Sequence, residues 1–209
     1  GRSGATTTPA GGEPPLRAPR SSGPVACWGN NDFGQLGDGT TTSATALVTV
    51  QKPRVIGDVV QTTTGGYHTC ALFGNGTVAC WGDNSRGQLG DGTTIDATTP
   101  VTVTGLTDVA SITAGNVHTC ATRSDGTVAC WGINFSGQLG DGTTTDATTP
   151  VTVTGLTDVT TITAGKDHTC ATRTDDTVAC WGKNNQGQLG NGTPTSTATT
   201  TPVTVTGPP

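Results

Sequence analysis

Methionine is absent from this 209-residue chain, tyrosine occurs once, phenylalanine three times, and lysine plus arginine ten times against fifteen aspartates and glutamates. The shortage of cations, with a net charge of −5, removes the basic footprint by which proteins hold nucleic acid or anionic lipid. No apolar run approaches bilayer length, so no membrane insertion is expected. Neither a signal peptide nor an initiator methionine is visible, and the chain is expected to be a processed or excerpted piece of a longer product. No stretch has the 3.6-residue apolar period of a helix. Large aliphatic residues are few while threonine and glycine abound, and composition alone would leave disorder open.

What is present instead is a repeat. The run His118-Thr-Cys-Ala-Thr-Arg-Ser-Asp-Gly-Thr-Val-Ala-Cys-Trp131 returns at His68 to Trp81 and at His168 to Trp181, each copy fifty residues from the next. Its middle is a turn signal, Gly74-Asn75-Gly76 or Ser124-Asp125-Gly126, between short segments of strand-like composition, which predicts a β-hairpin. A three-residue turn with Gly76 or Gly126 left-handed sets Cys70 opposite Cys80 and Cys120 opposite Cys130. These positions form a non-hydrogen-bonded pair, whose Cα atoms approach to about 4.5 Å, inside the window for a disulfide. The third copy has Asp176 in the left-handed position, tolerated at some cost. Three bonds are therefore expected: Cys70–Cys80, Cys120–Cys130 and Cys170–Cys180. Cys27 is the odd cysteine of seven, because Arg17 stands where its hairpin partner would fall. Each bond closes a short loop worth roughly 2 to 3 kcal/mol on the chain-entropy estimate, a substantial share for modules with such small cores. Disulfides on this scale imply an oxidising compartment, hence an extracellular or cell-surface location.

Along the chain, residues 1–22 have no apolar periodicity and read as a disordered or linker tail. Residues 23–209 read as the repeat domain, with a partial repeat at 23–62 and repeats at 63–112, 113–162 and 163–209. Each Trp-Gly is followed by a glycine-rich loop (Asn31 to Gly39, Asn84 to Gly92, Asn134 to Gly142, Asn184 to Gly192) whose single leucine, Leu36, Leu89, Leu139 or Leu189, is the expected apolar anchor. Two alternating segments follow, Pro100–Thr104 and Asp108–Thr113 in one period, which predict strands. Pro202–Thr206 reads as the start of a further, incomplete period. Four short strands per fifty residues and no helix specify an all-β fold built of propeller blades of four antiparallel strands, incomplete or small in number.

The run Ala114-Gly115-x-x-His118-Thr-Cys-Ala, then Asp125-Gly126-Thr-Val-x-x-Trp131-Gly132-x-Asn134-x-x-Gly137-Gln138-Leu139-Gly140, resembles the repeat of the regulator of chromosome condensation family. The resemblance extends over nearly all of Gly23 to Gly207. It implies a β-propeller, seven-bladed in the family's best-known members, with His68, His118, His168 and the tryptophans as packing elements of each blade. The cysteine pairs look like those of secreted bacterial relatives. Too few repeats are present for seven blades, so the arc continues in a parent protein, closes as a ring of about four, or pairs with another chain; the first is favoured here. Strand edges left open at the ends of an arc would be a liability.

Candidate chemistry is sparse. A His and two Cys per hairpin could suggest zinc, but three ligands without a fourth, with cysteines placed to bond each other, favour no metal. The Asp-rich loops lack the spacing of a calcium loop, and turn chemistry accounts for their Asn and Asp. Trp28, Trp81, Trp131 and Trp181 could form sugar platforms, though a once-per-repeat Trp beside Gly is more often core. No nucleophile elbow, phosphate-binding glycine loop or isolated carboxylate pair occurs, so neither an enzyme nor a cofactor is expected. Positions that vary between copies are the candidate interface: Tyr67, Arg86, Val117, Phe135, Lys166 and Lys183, on loop ends of a rigid β scaffold. The function expected is a non-catalytic protein-binding module. The alternatives are a carbohydrate or cell-wall binding module, for which a glycan would be the partner, and a structural surface stalk. Family relatives include exchange factors for small GTPases and a propeller that inhibits a secreted β-lactamase; exchange activity does not suit an extracellular module.

Overall fold

The structure, a computed structural model, describes residues 6–10, 25–51 and 57–206. Among these every regular element is a β-strand, grouped into four sheets. The first sheet holds β1 (Thr6–Ala10), β2 (Val25–Gly29) and β3 (Ala44–Thr49). The second is a four-stranded meander of β4 (Val59–Thr64), β5 (His68–Phe73), β6 (Val78–Gly82) and β7 (Ala97–Thr102). The third repeats it with β8 (Val109–Ala114), β9 (His118–Arg123), β10 (Val128–Gly132) and β11 (Ala147–Thr152). The fourth comprises β12 (Val159–Ala164), β13 (His168–Arg173), β14 (Val178–Asn184) and β15 (Thr195–Thr204). Neighbouring sheets meet most closely through β4, β8 and β12, the innermost strands of successive blades.

The hairpin at the centre of each blade follows from its turn. Gly76 adopts φ 78° and donates its N–H to the Phe73 carbonyl at 2.9 Å, while Asn75 Oδ1 accepts from the Thr77 backbone and hydroxyl at 3.1 and 2.7 Å. That closure sets Leu72 opposite Val78, Ala71 opposite Ala79 and Cys70 opposite Cys80. Cys70–Cys80, Cys120–Cys130 and Cys170–Cys180 are bonded, with Cα atoms 4.1 Å apart in each. Full reduction is expected to lower the stability of the modules by roughly 2 to 3 kcal/mol per bond. The check is thermal unfolding with and without reductant, alongside peptide mapping of these six cysteines after alkylation under denaturing, non-reducing conditions.

Asp176 occupies the left-handed turn position of the last hairpin with φ 64°. Its Cβ carries a steric cost that Gly76 and Gly126 avoid. Asp176→Gly is expected to stabilise the fourth blade by about 1 kcal/mol, read as a rise in urea midpoint.

Three features differ from the sequence reading. Thr6–Ala10, within the stretch expected to be a linker tail, forms β1 and pairs parallel to β2, Thr8 opposite Cys27. Among the described residues the first sheet has no strand forming a hairpin with the Val-Ala-Cys-Trp-Gly strand, and an upstream threonine-rich segment lies at that edge. The rest of residues 1–22, Arg17 included, lies outside the described residues. Next, the spatial blades begin at Val59, Val109 and Val159, four residues ahead of the repeats counted from 63, 113 and 163. The turn at Gly65–Tyr67 folds β4 directly back on β5, and this local antiparallel pairing sets the frame. Finally, Pro202–Thr204 belongs to β15, which pairs with β14, Val203 opposite Cys180. It completes the fourth blade and does not start another.

Candidate functional site

Aliphatic residues are few, and the core is built where one blade faces the next. Trp131 packs with Leu89, Val103 and Leu106 of the preceding blade, and Trp181 with Leu139, Val153 and Leu156. Trp81 joins Leu36 and Val50 of the first blade in the same way. Each indole sits against a glycine of the preceding loop: a Cβ on Gly90 would lie 2.7 Å from Trp131 Nε1, and Gly90 is left-handed at φ 71°. Only glycine satisfies both the backbone and the approach.

The recurring polar residues serve the same joint. Trp131 Nε1 and Thr119 Oγ1 both donate to the Gln88 carbonyl of the preceding blade, at 2.9 and 3.1 Å. Trp81 and Thr69 hold the Gln35 carbonyl likewise, and Trp181 and Thr169 hold that of Gln138. In the opposite direction His68 Nε2 meets Thr119 Oγ1 at 2.9 Å and His118 Nε2 meets Thr169 Oγ1 at 3.0 Å. Because each threonine proton goes to a carbonyl, the imidazole donates from Nε2, and its Nδ1 remains a buried lone pair without a partner. Burial pushes His68 down to about 4; for His118 burial, then repulsion from His68 and His168, gives about 3. His168, half-buried, is lowered in the same direction, chiefly by desolvation. His68 and His118 thus couple blades, a tighter role than packing within one.

The loops are knotted by a buried asparagine that sequence reading passed over. Asn84 Nδ2 donates to Asp91 Oδ1, to the Thr93 carbonyl and hydroxyl and to the Ile95 carbonyl at 3.1–3.2 Å, while its Oδ1 accepts the Leu89 N–H at 3.0 Å. Asn31 and Asn134 repeat the arrangement, and Asn184 keeps part of it. The signal was there in the recurrence of asparagine three residues after each tryptophan. Leu36, Leu89, Leu139 and Leu189 are fully buried beneath these knots. The Asp91 carboxylate that suggested calcium is occupied by Asn84 and Thr93. No cluster of three metal-ligating side chains occurs among the described residues. No helix among them could cross a membrane.

With the recurring residues committed inward, the loop face presents the variable ones. Tyr67 is 49 % and Phe135 58 % exposed, and Lys166 is exposed. Arg86 reaches Asp146 of the third blade at 3.3 Å while remaining largely in solvent. Val117 and Lys183 are half-buried, and Lys183 pairs with Asp167 at 3.3 Å. Sequence reading missed Phe33, 36 % exposed, whose ring lies 5.2 Å from that of Tyr67 and tilted by 54°. Trp81, Trp131 and Trp181 are at most 1 % exposed and offer no platform.

Sequential four-stranded meanders, arrayed side by side and clamped through Trp, Thr, His and a glutamine carbonyl, define an arc of β-propeller blades. The chain belongs to the Regulator of chromosome condensation (RCC1) repeat family, whose model matches residues 22–72, 75–122, 125–172 and 175–209. It is 38 % identical over 90 residues to the E3 ubiquitin-protein ligase HERC2 of Homo sapiens, a match covering 41 % of this chain and 2 % of HERC2. Identity is 40 % over 86 residues to the Protein RCC2 homolog of Danio rerio, covering 40 % of this chain and 17 % of that protein. With the Ultraviolet-B receptor UVR8 of Arabidopsis thaliana it is 36 % over 87 residues, covering 42 % and 20 %. The chain thus spans a fifth or less of these curated relatives. Among solved structures, Prp20p of Saccharomyces cerevisiae superimposes with a TM-score of 0.75 at 22 % identity, covering 88 % of this chain and 47 % of that one. Human WBSCR16 superimposes with 0.73 at 24 %, covering 86 % and 46 %. Both establish the shared fold.

Proposed function

We propose that this chain is part of a secreted or cell-surface propeller that docks a protein partner on its loop face without catalysing a reaction. The observation carrying this reading is the division of labour between positions. Residues that recur are bonded between or within blades, while the side chains of Phe33, Tyr67, Phe135 and Lys166 are exposed and make no hydrogen bond or ion pair among the described residues. An exposed aromatic pair is the chemistry of a protein-recognition surface. Yeast RCC1 has been solved bound to Kap60, and Prp20p is described by its binding to Gsp1p and histones, so protein binding is an activity the fold supports elsewhere. The extracellular location rests on the three disulfides.

The immobilised chain should retain a protein from the extracellular fluid of its source, and the double variant Tyr67→Ala, Phe135→Ala should lose it while keeping the wild-type unfolding midpoint. Empty columns, or retention unchanged in the variant, would overturn the reading. With the three inner tryptophans buried, the glycan alternative rests on the Phe33–Tyr67 pair, and a glycan array comparing wild type with Tyr67→Ala decides it.

A further inference from the structure

The loop tips of the blades are polar and internally bonded, except in the third. In the first, Gln35 Nε2 donates to Asn30 Oδ1 at 2.6 Å, and Asn30 Nδ2 donates to Asp32 Oδ2 at 2.9 Å. In the second, Gln88 Nε2 donates to Asp83 Oδ2 at 2.6 Å, and Asp83 Oδ1 accepts the Ser85 N–H at 3.0 Å. In the fourth, Lys183 pairs with Asp167 at 3.3 Å, and Gln188 Nε2 donates to Asn185 Oδ1 at 3.4 Å. In the third, Val117 stands where the fourth blade has Asp167 and the second Tyr67. Ile133 replaces Asn30, Asp83 and Lys183, and Phe135 replaces Asp32, Ser85 and Asn185. These positions adjoin one another: their counterparts are bonded side chain to side chain in the first and fourth blades, and the Ile133 N–H donates to the Val117 carbonyl at 3.0 Å. The third tip is therefore an apolar patch, with Phe135 exposed and Val117 and Ile133 half-buried. Blades flank it on both sides, so it is not the raw edge of an arc.

The exchange leaves a defect beneath the patch. Gln138 is 0 % exposed, and its Oε1 accepts the Ser136 N–H at 2.9 Å, as Gln88 Oε1 accepts that of Arg86 at 2.9 Å. The amide is thus held as in the second blade, but Ile133 stands where Asp83 would receive it, and Gln138 Nε2 is buried without a partner. A buried donor left unbonded weakens the fold, and proteins keep such local conflicts chiefly where a site needs them. The charge is altered as well. Asp146, the carboxylate that reaches this tip, is occupied by the Asn134 N–H at 2.8 Å and by Arg86 at 3.3 Å. Lys166, whose carbonyl accepts the Asn116 N–H at 3.4 Å beside Val117, is exposed and forms no ion pair among the described residues.

We propose that the third blade's tip is the centre of the docking surface and that it receives from a protein partner a bulky apolar side chain flanked by an aspartate or glutamate. The apolar side chain covers Val117, Ile133 and Phe135, and the carboxylate meets the Lys166 ammonium. This rests on the protein-docking reading of the loop face and adds to it a place and a chemistry.

The probe is a random-peptide library displayed on phage and panned on the immobilised chain, with enriched peptides synthesised and titrated by fluorescence anisotropy. They should share a bulky apolar residue next to Asp or Glu. Ile133→Asp gives Gln138 Nε2 the carboxylate that Asp83 gives Gln88, so it should raise the urea midpoint while weakening peptide binding about tenfold or more. Lost binding then cannot be lost folding. Exchanging the peptide's acidic residue for lysine should weaken binding to the wild-type chain, and Lys166→Glu should restore it. Phe135→Ser, which installs the second blade's residue, gives the same readout should Ile133→Asp not fold. Panning that enriches nothing, peptides without the paired apolar and acidic residues, or binding that survives Ile133→Asp overturns the proposal. So does a patch that, in the same variants, proves to hold a glycan or a second copy of this chain. Peptides lost with Tyr67→Ala but not with Ile133→Asp overturn it while leaving protein docking on the loop face intact, whereas that broader reading stands or falls with the column experiment.

Discussion

Trp131→Ala is expected to cost about 3 to 5 kcal/mol, the usual loss for truncating a fully buried tryptophan, and to change the form of unfolding as well as its midpoint. The side chain is 0 % exposed, fills the space between the second and third blades, and supplies one of two donors to the Gln88 carbonyl. Repeat arrays unfold as coupled units whose cooperativity lives in nearest-neighbour interfaces. Weakening one inner interface should therefore split a single urea transition into two, with the disulfide-closed hairpins of both halves retained. Trp28→Ala, at a half-exposed position, should cost much less. A Trp131→Ala chain that unfolds in one transition with an unchanged midpoint would show that the blades are held together elsewhere.

The second large effect is acid lability. His68 and His118 are buried as neutral imidazoles whose folded values, about 4 and about 3, lie below the ordinary 6.5. Below pH 6.5 the unfolded chain takes up protons that the folded chain refuses, so stability falls with pH. The contribution is complete above pH 6.5, is lost progressively as pH drops, and is gone once pH passes below the folded values. For each residue the loss is on the order of 3 kcal/mol. Asp83 moderates the effect at His68. Asp125 and Asp175 act in the same direction at still lower pH, because hydrogen bonds from Thr127 and Thr177 hold their carboxyls below the usual range. Urea midpoints at pH 7.5, 5.5 and 4 should decline steadily, and His118→Gln should be less stable at pH 7.5 yet show a shallower decline. A flat profile in the wild-type chain would refute this account.

Much of the architecture was legible because it is local. The turn at Gly76 fixes the hairpin register by counting, and that register puts Cys70 across from Cys80 without reference to any other blade. The inner strands, too, announced themselves by alternation. What sequence reading could not supply depends on neighbours. Gln88 acts through its backbone carbonyl, and a residue's carbonyl carries no mark of its role in the side-chain pattern. The pairing of β1 with β2 occurs at an edge where no hairpin strand lies among the described residues, a property of the sheet and not of Thr6–Ala10. Among the candidate interface residues, Tyr67 and Phe135 stand out in the sequence by their variation, whereas Phe33 does not, because only the fold sets its ring beside that of Tyr67.

Every partner in the clamp between blades is drawn from the recurring set, and the histidine bonds all join residues 51 apart. A tandem duplication of one fifty-residue unit would thus arrive with both of its joints already compatible, donor side and acceptor side alike. Residues 87–109 and 137–159 differ only at Ile95 and Thr145, as expected of such a copy. In-frame repetition of the unit would accordingly add a blade whose joints are already matched, leaving the loop tips as the positions free to differ.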